Sequence, residues 1–253
     1  MSITPTQIIC GISIVITILI IRIFTVLQQI KSKSRNSGST TSTFKQKRNR
    51  PVKTLVVLGS GGHTTEMLHL LSSITITNHD NYKPLNYIIA STDTTSTNRL
   101  AAFNAALQKA TSTSTSTIQS QALPPYIRIC KIPRAREVGQ SYFTSIFTTI
   151  YSILYTAHIV LIQTQPDLLL LNGPGTCLPI ALWTFIARVL GLCQGNIVFC
   201  ESFCRVKSLS LTGNILRKMG IVDLFLVHWP ELLDKRKKDE KDMVLIDSFI
   251  RHS

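Results

Sequence analysis

The sequence predicts an α/β protein: an N-terminal transmembrane helix followed by a single Rossmann-like lobe with a mostly parallel sheet. Three observations carry this expectation. A long uncharged apolar run opens the chain, short β-branched runs alternate with amphipathic stretches from Thr54 onward, and glycine-rich turns directly follow two of those runs. Length agrees, because about 200 of the 253 residues remain after the apolar run, enough for one lobe at ~100–200 residues per domain.

Ser2 to Ile21 contains no charged residue and is dominated by Ile, Val and Leu. As a helix it would span roughly 30 Å, the thickness of a bilayer's hydrocarbon core. A cleaved signal peptide needs basic residues ahead of the apolar run and small residues after it. Here Arg22, Lys31, Lys33 and Arg35 follow the run, and bulky side chains occupy its exit. A single-pass anchor over residues 2–30 is therefore expected, with the N-terminus lumenal and the body cytosolic.

No Asp or Glu precedes Glu66, and nine of the 27 basic residues lie at or before Lys53. Of the net charge of +14, only +5 belongs to the rest of the chain. Such a distribution argues against nucleic-acid binding, which concentrates charge on a folded surface. Residues 31–53, with Asn36–Thr43 (NSGSTTST) and the basic run Lys45–Lys53, read as a flexible linker. Its charge sets topology, adds attraction to anionic lipids, or does both at once. The six cysteines form no CxxC pair, so neither a zinc site nor another metal is expected. The absence of any Asn-x-Ser/Thr sequon agrees with a cytosolic body.

Within the lobe, residues 54–230, strands are expected at Thr54–Leu58, Leu85–Ala90, Tyr126–Ile132, Asp167–Leu171, Asn196–Cys200 and Val222–Val227. Continuous apolar runs such as LVVL and LFLV suit a parallel sheet covered on both faces. Helices are expected at Thr64–Ser73, Asn98–Lys109, Tyr142–Gln163, Cys177–Leu190 and Leu209–Met219. Thr111–Ser120 (TSTSTSTIQS) reads as an exposed low-complexity loop. Tyr142–Gln165 carries no Asp, Glu, Lys or Arg and is long enough for a second span. Its Ser, Thr, Tyr and Gln content favours a soluble helix, with one face available to the bilayer.

The strongest local signal is a strand, a glycine-rich turn and a helix over Leu55–Met67. Gly59, Gly61 and Gly62 permit a tight turn and close ligand approach. Ser60, His63 and Thr64 complete a helix N-terminus that favours an anion such as a diphosphate. The same residues would also serve a plain tight turn. No Lys-Ser/Thr follows as in a Walker loop, and Thr64 stands where GxGxxG requires its last glycine. His63 could bond a diphosphate or act as a general base, while Glu66 could join it or cap the helix.

A second loop, Asn172, Gly173, Pro174, Gly175 and Thr176, and a third, Phe199–Arg205, also follow expected strands. Ligands in open α/β sheets bind outside such strand ends. Glu201, next to Ser202, is either a catalytic residue that with His63 orients or deprotonates the attacking sugar hydroxyl, unless a partner supplies the base, or an ordinary loop carboxylate. Arg134 and Arg136 suit phosphate contacts or the membrane face equally.

Taken together, GSGGHTTEM (59–67), PRAREV (133–138), NGPGT (172–176), FCESFCRV (199–206) and GIVDLFLVHWP (220–230) resemble a known family. It is the membrane-anchor subunit of the endoplasmic-reticulum N-acetylglucosaminyltransferase of dolichol-linked oligosaccharide synthesis. The chain is more distantly similar to the acceptor half of the bacterial lipid II-forming glycosyltransferase. The resemblance spans the anchor and Val52–Pro230; the Ser/Thr insertion near Thr111 and the charged stretch Lys235–Asp242 depart from it.

The resemblance implies the N-terminal, acceptor-side half of a two-lobed GT-B enzyme, inactive alone and needing no cofactor. A soluble subunit would supply the UDP-N-acetylglucosamine-binding donor lobe. The complex would add the second N-acetylglucosamine to N-acetylglucosaminyl-diphospho-dolichol, as an inverting β-1,4 transferase on the cytosolic face of the endoplasmic-reticulum membrane and the contiguous nuclear envelope. It also implies contact with the first-step GlcNAc-phosphotransferase. Partner docking would fall in the tail, residues 231–253, on Val244, Leu245, Ile246, Phe249 and Ile250.

Overall fold

The computed structural model describes residues 4–37, 50–78, 82, 84–111, 127–133, 142–173, 175–233 and 243–246. Seven strands form one sheet: β1 (Thr54–Leu58), β2 (Leu85–Ala90), β3 (Ile127–Ile132), β4 (Leu168–Asn172), β5 (Asn196–Cys200), β6 (Leu224–Val227) and β7 (Met243–Leu245). Every pairing is parallel and the order is β3-β2-β1-β4-β5-β6-β7. The connections from β1 to β2 and from β4 to β5 run in opposite directions across the sheet. A crevice therefore opens beyond the C-terminal ends of β1 and β4.

Strand periodicity sorts the core into two layers. Leu55 and Val57 of β1 point to one face, where they join Ile180, Ala181 and Ala187 of α5 (Cys177–Val189) and Leu216 of α6 (Leu211–Met219). Val56 and Leu58 point to the other, against Met67 and Leu71 of α2 (Gly62–Asn78) and Leu100 of α3 (Thr94–Thr111). Both faces are covered, which is why all five residues of β1 are buried. Each such aliphatic side chain contributes about 1.5–3 kcal/mol of transfer free energy.

α4 (Tyr142–His158) continues into a π-helical turn, Ile159–Thr164, that ends at Gln165 with φ 41°. It is held to the body rather than separate from it. Ser152 Oγ donates to the Pro133 carbonyl at 3.0 Å, and Trp183 Nε1 of α5 donates to the Ile153 carbonyl at 2.9 Å. Only α1 (Pro5–Ser37), among the described residues, is both long and apolar enough to cross a membrane.

The structure moves two boundaries. α1 runs unbroken to Ser37, so the segment expected to start a flexible linker is helical, and its last turns dock on the lobe. Val26 and Ile30 are buried against Val189 and Phe185. Arg22 Nε donates to the Val189 carbonyl at 3.2 Å, at the end of α5 where the helix dipole favours a cation. Lys33 Nζ donates to Asn196 Oδ1 at 2.8 Å. The linker residues 38–49 lie outside the described residues.

The second correction concerns the tail. Val244 and Leu245, expected as a docking strip, lie in β7, paired with Leu226 and Val227 of β6. Ile246 is buried in this chain's own core with Leu224 and Leu226. The strip's apolar character is thus used for completing the sheet. Phe249 and Ile250 lie outside the described residues.

Beneath α1, Asp223 accepts from Arg188 Nη1 through both carboxylate oxygens (3.0 and 2.9 Å) and from the Ile197 N–H at 2.9 Å. Both side chains are 7% exposed. Asp223→Ala should leave Arg188 charged and unpaired in the interior, costing about 3–5 kcal/mol. The expected outcome is a large fall in the denaturation midpoint of the detergent-solubilised chain.

Candidate functional site

At the end of β1 the chain turns through Ser60 and Gly61 before α2 begins at Gly62. Gly61 has φ +64°, a left-handed conformation in which a side chain would be strained. Three ties fix this turn. Thr64 Oγ1 donates to the Gly59 carbonyl and lies 2.6 Å from Ser96 Oγ. Asp93 accepts from the backbone N–H and hydroxyl of Ser96 at 2.9 and 2.7 Å, capping α3. Arg99 Nη1 donates to the Gly61 carbonyl at 2.6 Å and to Thr65 Oγ1 at 2.9 Å.

The Thr64 hydroxyl is thereby occupied within the turn. The Arg99 guanidinium places a positive charge beside the same helix N-terminus. Ser60, Gly61 and Gly62 are exposed, so this end of the crevice is open.

Asn172, at the last position of β4, reaches across to α2. It is fully buried. Its Nδ2 donates to Glu66 Oε2 at 3.0 Å and to the His63 carbonyl at 3.3 Å. With both amide hydrogens used, Oδ1 is the acceptor in the 3.1 Å contact with His63 Nδ1. His63 Nδ1 therefore carries the hydrogen, and in the neutral ring Nε2 carries the lone pair. Glu66 Oε2 stands 3.8 Å from His63 Nδ1, with the two side chains 19% and 33% exposed respectively.

Glu66 also joins the third loop. Its Oε1 accepts from Ser202 Oγ at 3.1 Å and from the Phe203 N–H at 3.3 Å. His63, Glu66, Asn172 and Ser202 thus form one connected group across three strand ends. Gly173 follows with φ +67°, and a Cβ there would lie 2.5 Å from His63 Cε1. Glycine at this position leaves room for the imidazole. Gly175 is exposed, and the Thr176 side chain makes no capping bond to α5.

Glu201 is placed differently from the expectation that it orients a substrate hydroxyl. Its side chain is wholly buried. Oε2 accepts from the Ser210 N–H at 2.9 Å and hydroxyl at 3.1 Å, and Oε1 accepts from the Ser202 N–H at 3.1 Å. Ser210 in turn caps α6 by accepting from Gly213 N–H. Glu201 therefore shapes the loop between β5 and α6, and Glu66 is the carboxylate with access to the crevice. Arg134 and Arg136 lie outside the described residues.

Sequence reading singled out neither Arg99 nor the Asp93–Ser96 pair. The Asp-x-x-Ser spacing is a recognisable helix start, whereas nothing local marks Arg99 as reaching the glycine turn. Burial pushes the Cys177 and Cys200 thiols up to about 12, which keeps them protonated and unreactive. No group of three or more His, Cys, Asp or Glu suited to a metal occurs among the described residues.

Two outcomes follow from this geometry. Gly173→Ala should cost about 1–2 kcal/mol for the left-handed backbone and push His63 off Asn172, seen as a shift of the His63 imidazole NMR signals. In the native chain at mildly alkaline pH, alkylation should modify exposed Cys204 and spare Cys177 and Cys200 until unfolding.

Residues 54–244 match the family described as "Oligosaccharide biosynthesis protein Alg14 like". The chain is 41% identical over 187 residues to mouse (Mus musculus) UDP-N-acetylglucosamine transferase subunit ALG14, covering 74% of this chain and 80% of that protein. It is 39% identical over 220 residues to the human (Homo sapiens) subunit, covering 87% and 88%. Identity to the subunit of Schizosaccharomyces pombe is 40% over 188 residues, covering 74% and 80%. Among solved structures, LpCGTa in complex with UDP is similar at a TM-score of 0.37 and 13% identity, over 71% of this chain and 46% of that one. The family match across nearly the whole lobe and the extended identity to these relatives establish that the chain belongs to the Alg14 family.

Proposed function

We propose that this chain is the acceptor-side, membrane-anchoring subunit of a heteromeric N-acetylglucosaminyltransferase. It recruits a soluble catalytic subunit, which binds UDP-N-acetylglucosamine, to the cytosolic face of the endoplasmic reticulum. There it presents N-acetylglucosaminyl-diphospho-dolichol for addition of the second N-acetylglucosamine, in the pathway of protein N-glycosylation. The observation that carries the reading is the connected His63–Asn172–Glu66 group beside the open N-terminus of α2. Support also comes from the relatives' designation as UDP-N-acetylglucosamine transferase subunits.

The chemistry divides as follows. The N–H groups of Gly62, His63 and Thr64, with the α2 dipole and Arg99, hold the acceptor diphosphate. The acceptor sugar then lies in the crevice, its attacking hydroxyl beside His63. Asn172 keeps the hydrogen on Nδ1, so Nε2 accepts the hydroxyl proton as the oxygen attacks the donor's anomeric carbon. The bond from that carbon to the UDP oxygen breaks, UDP departs with the electron pair, and configuration inverts. Glu66 stabilises the imidazolium that forms.

One lobe supplies one half of a two-lobed site, so transfer to a short-chain N-acetylglucosaminyl-diphospho-lipid should require both this chain and the donor subunit. In the mixture, His63→Ala should lower turnover about 10²–10⁴-fold while the donor subunit still co-purifies. Unchanged turnover would remove His63 from the mechanism, and substitutions in the glycine-rich turn that change nothing once the partner is bound would leave a pure membrane-recruitment scaffold, the alternative function. Activity from this chain alone would contradict the single-lobe reading.

A further inference from the structure

One aromatic ring at the rim of the crevice has no part in the mechanism proposed above. Phe203, in the loop between β5 and α6, is 53% exposed. A single exposed ring needs no explanation, but the loop that carries this one is held at every amide. The Ser202 N–H donates to Glu201 Oε1 at 3.1 Å and the Phe203 N–H to Glu66 Oε1 at 3.3 Å. The Cys204 N–H donates to Ser202 Oγ at 3.4 Å and the Arg205 N–H to the Ser202 carbonyl at 2.9 Å. The Phe203 carbonyl accepts from Trp229 Nε1 at 2.6 Å. Two rings at the end of β6 back the phenyl group: its centroid lies 4.9 Å from that of Trp229 and 5.4 Å from that of His228, the latter nearly perpendicular at 73°. Backbone and neighbours thus fix the ring while half its surface stays open to solvent, the arrangement of a preorganised ligand contact.

We propose that the Phe203 ring is the platform against which the acceptor's pyranose ring stacks. The proposal rests on the reading of the crevice as the acceptor site. Position favours it. The Phe203 amide is bonded to Glu66, whose other carboxylate oxygen stands 3.8 Å from His63 Nδ1. One carboxylate therefore separates the backbone that carries the ring from the imidazole that faces the attacking hydroxyl. Chemistry favours it too. A pyranose has hydroxyls around its rim and C–H groups on its faces, and those hydrogens are drawn to the negative face of an aromatic ring. Arg205 and Lys207 are exposed on the same loop, yet the amides of residues 202–205 are all spent, so the loop offers an anion no nest of N–H groups. The diphosphate belongs at α2 and the uncharged sugar at Phe203.

Stacking has a consequence for the reaction. A diphosphate held at α2 fixes one end of the acceptor and leaves the sugar free to rotate about its glycosidic bond. Contact with an immobile ring removes that rotation, so the hydroxyl presented to His63 is determined before the donor arrives.

The test uses the complex of the full chain with its donor subunit and a short-chain N-acetylglucosaminyl-diphospho-lipid. Phe203→Leu keeps an apolar side chain and removes the aromatic face. It should raise the acceptor KM about ten-fold, with the KM for UDP-N-acetylglucosamine unchanged and the donor subunit still co-purifying. Phe203→Tyr and Phe203→Trp should keep the acceptor KM within about two-fold of the native value. Native kinetics for Phe203→Leu overturn the platform, and so does equal loss in all three variants, which marks a steric role. Loss of the donor subunit on Phe203→Leu assigns the ring to the subunit interface and likewise overturns it. His63→Ala and Gly61→Val, assayed alongside, separate the two readings. If they impair transfer and Phe203→Leu does not, the platform alone falls; if none of the three alters transfer, the acceptor site falls with it.

Discussion

The site depends on one buried amide. Asn172 ends β4 where the sheet's connections diverge, and its three polar contacts all go to α2, which starts from β1. Parallel strands leave a gap at that point, because the helices that follow β1 and β4 depart to opposite faces. Asn172 spans the gap without closing it. It fixes the ring orientation and tautomer of His63 and holds Glu66 against the third loop. An aspartate would repel Glu66 and lack the donor for the His63 carbonyl, and an aliphatic residue would leave buried polar groups unpaired.

The same division into two faces connects α1 to the crevice. α2 and α3 occupy one layer and carry the anion-favouring helix start with Arg99. α1, α4 and α5 share the other, where α1 is clamped by Arg22, Val26, Ile30 and Lys33 rather than trailing from a tether. Lys33 also lies 4.0 Å from Asp223, which pairs with Arg188. The lobe and α1 are consequently joined through the sheet's own interior. In the proposed function, this rigidity sets how the acceptor crevice is presented to the lipid.

The fold was legible wherever burial on both faces produced an unbroken apolar run. The strands beginning at Thr54, Leu85 and Asn196 match their expected limits, because no alternative secondary structure suits such short β-branched segments between turn residues. β7 was not legible: three residues, Met243–Leu245, acquire strand geometry only by pairing with β6, and an isolated apolar triplet carries no period. The docking of Val26 and Ile30 on the lobe was not legible for a related reason, since a residue facing α5 and one facing lipid have the same apolar character. The helix start at Thr94 was missed although Asp93 caps it; the run of Thr and Ser that follows is weakly helical by propensity. At the site, His63 and Asn172 were marked by the turns that hold them. Glu201 was preferred to Glu66 as the catalytic carboxylate, because which one turns inward depends on Ser210, nine residues beyond Glu201.

The central claim is that this lobe itself holds the acceptor diphosphate at the start of α2. The most direct measurement is photo-crosslinking of the vesicle-embedded chain, without the donor subunit, using a short-chain N-acetylglucosaminyl-diphospho-lipid with a photoreactive group on the sugar. The crosslinks are then mapped by peptide mass. Attachment within residues 59–66 or 172–176, competed by unlabelled acceptor and lost on replacing Gly61 with valine, is the predicted result. Labelling confined to α1, or labelling of the lobe only when the donor subunit is present, would contradict the account.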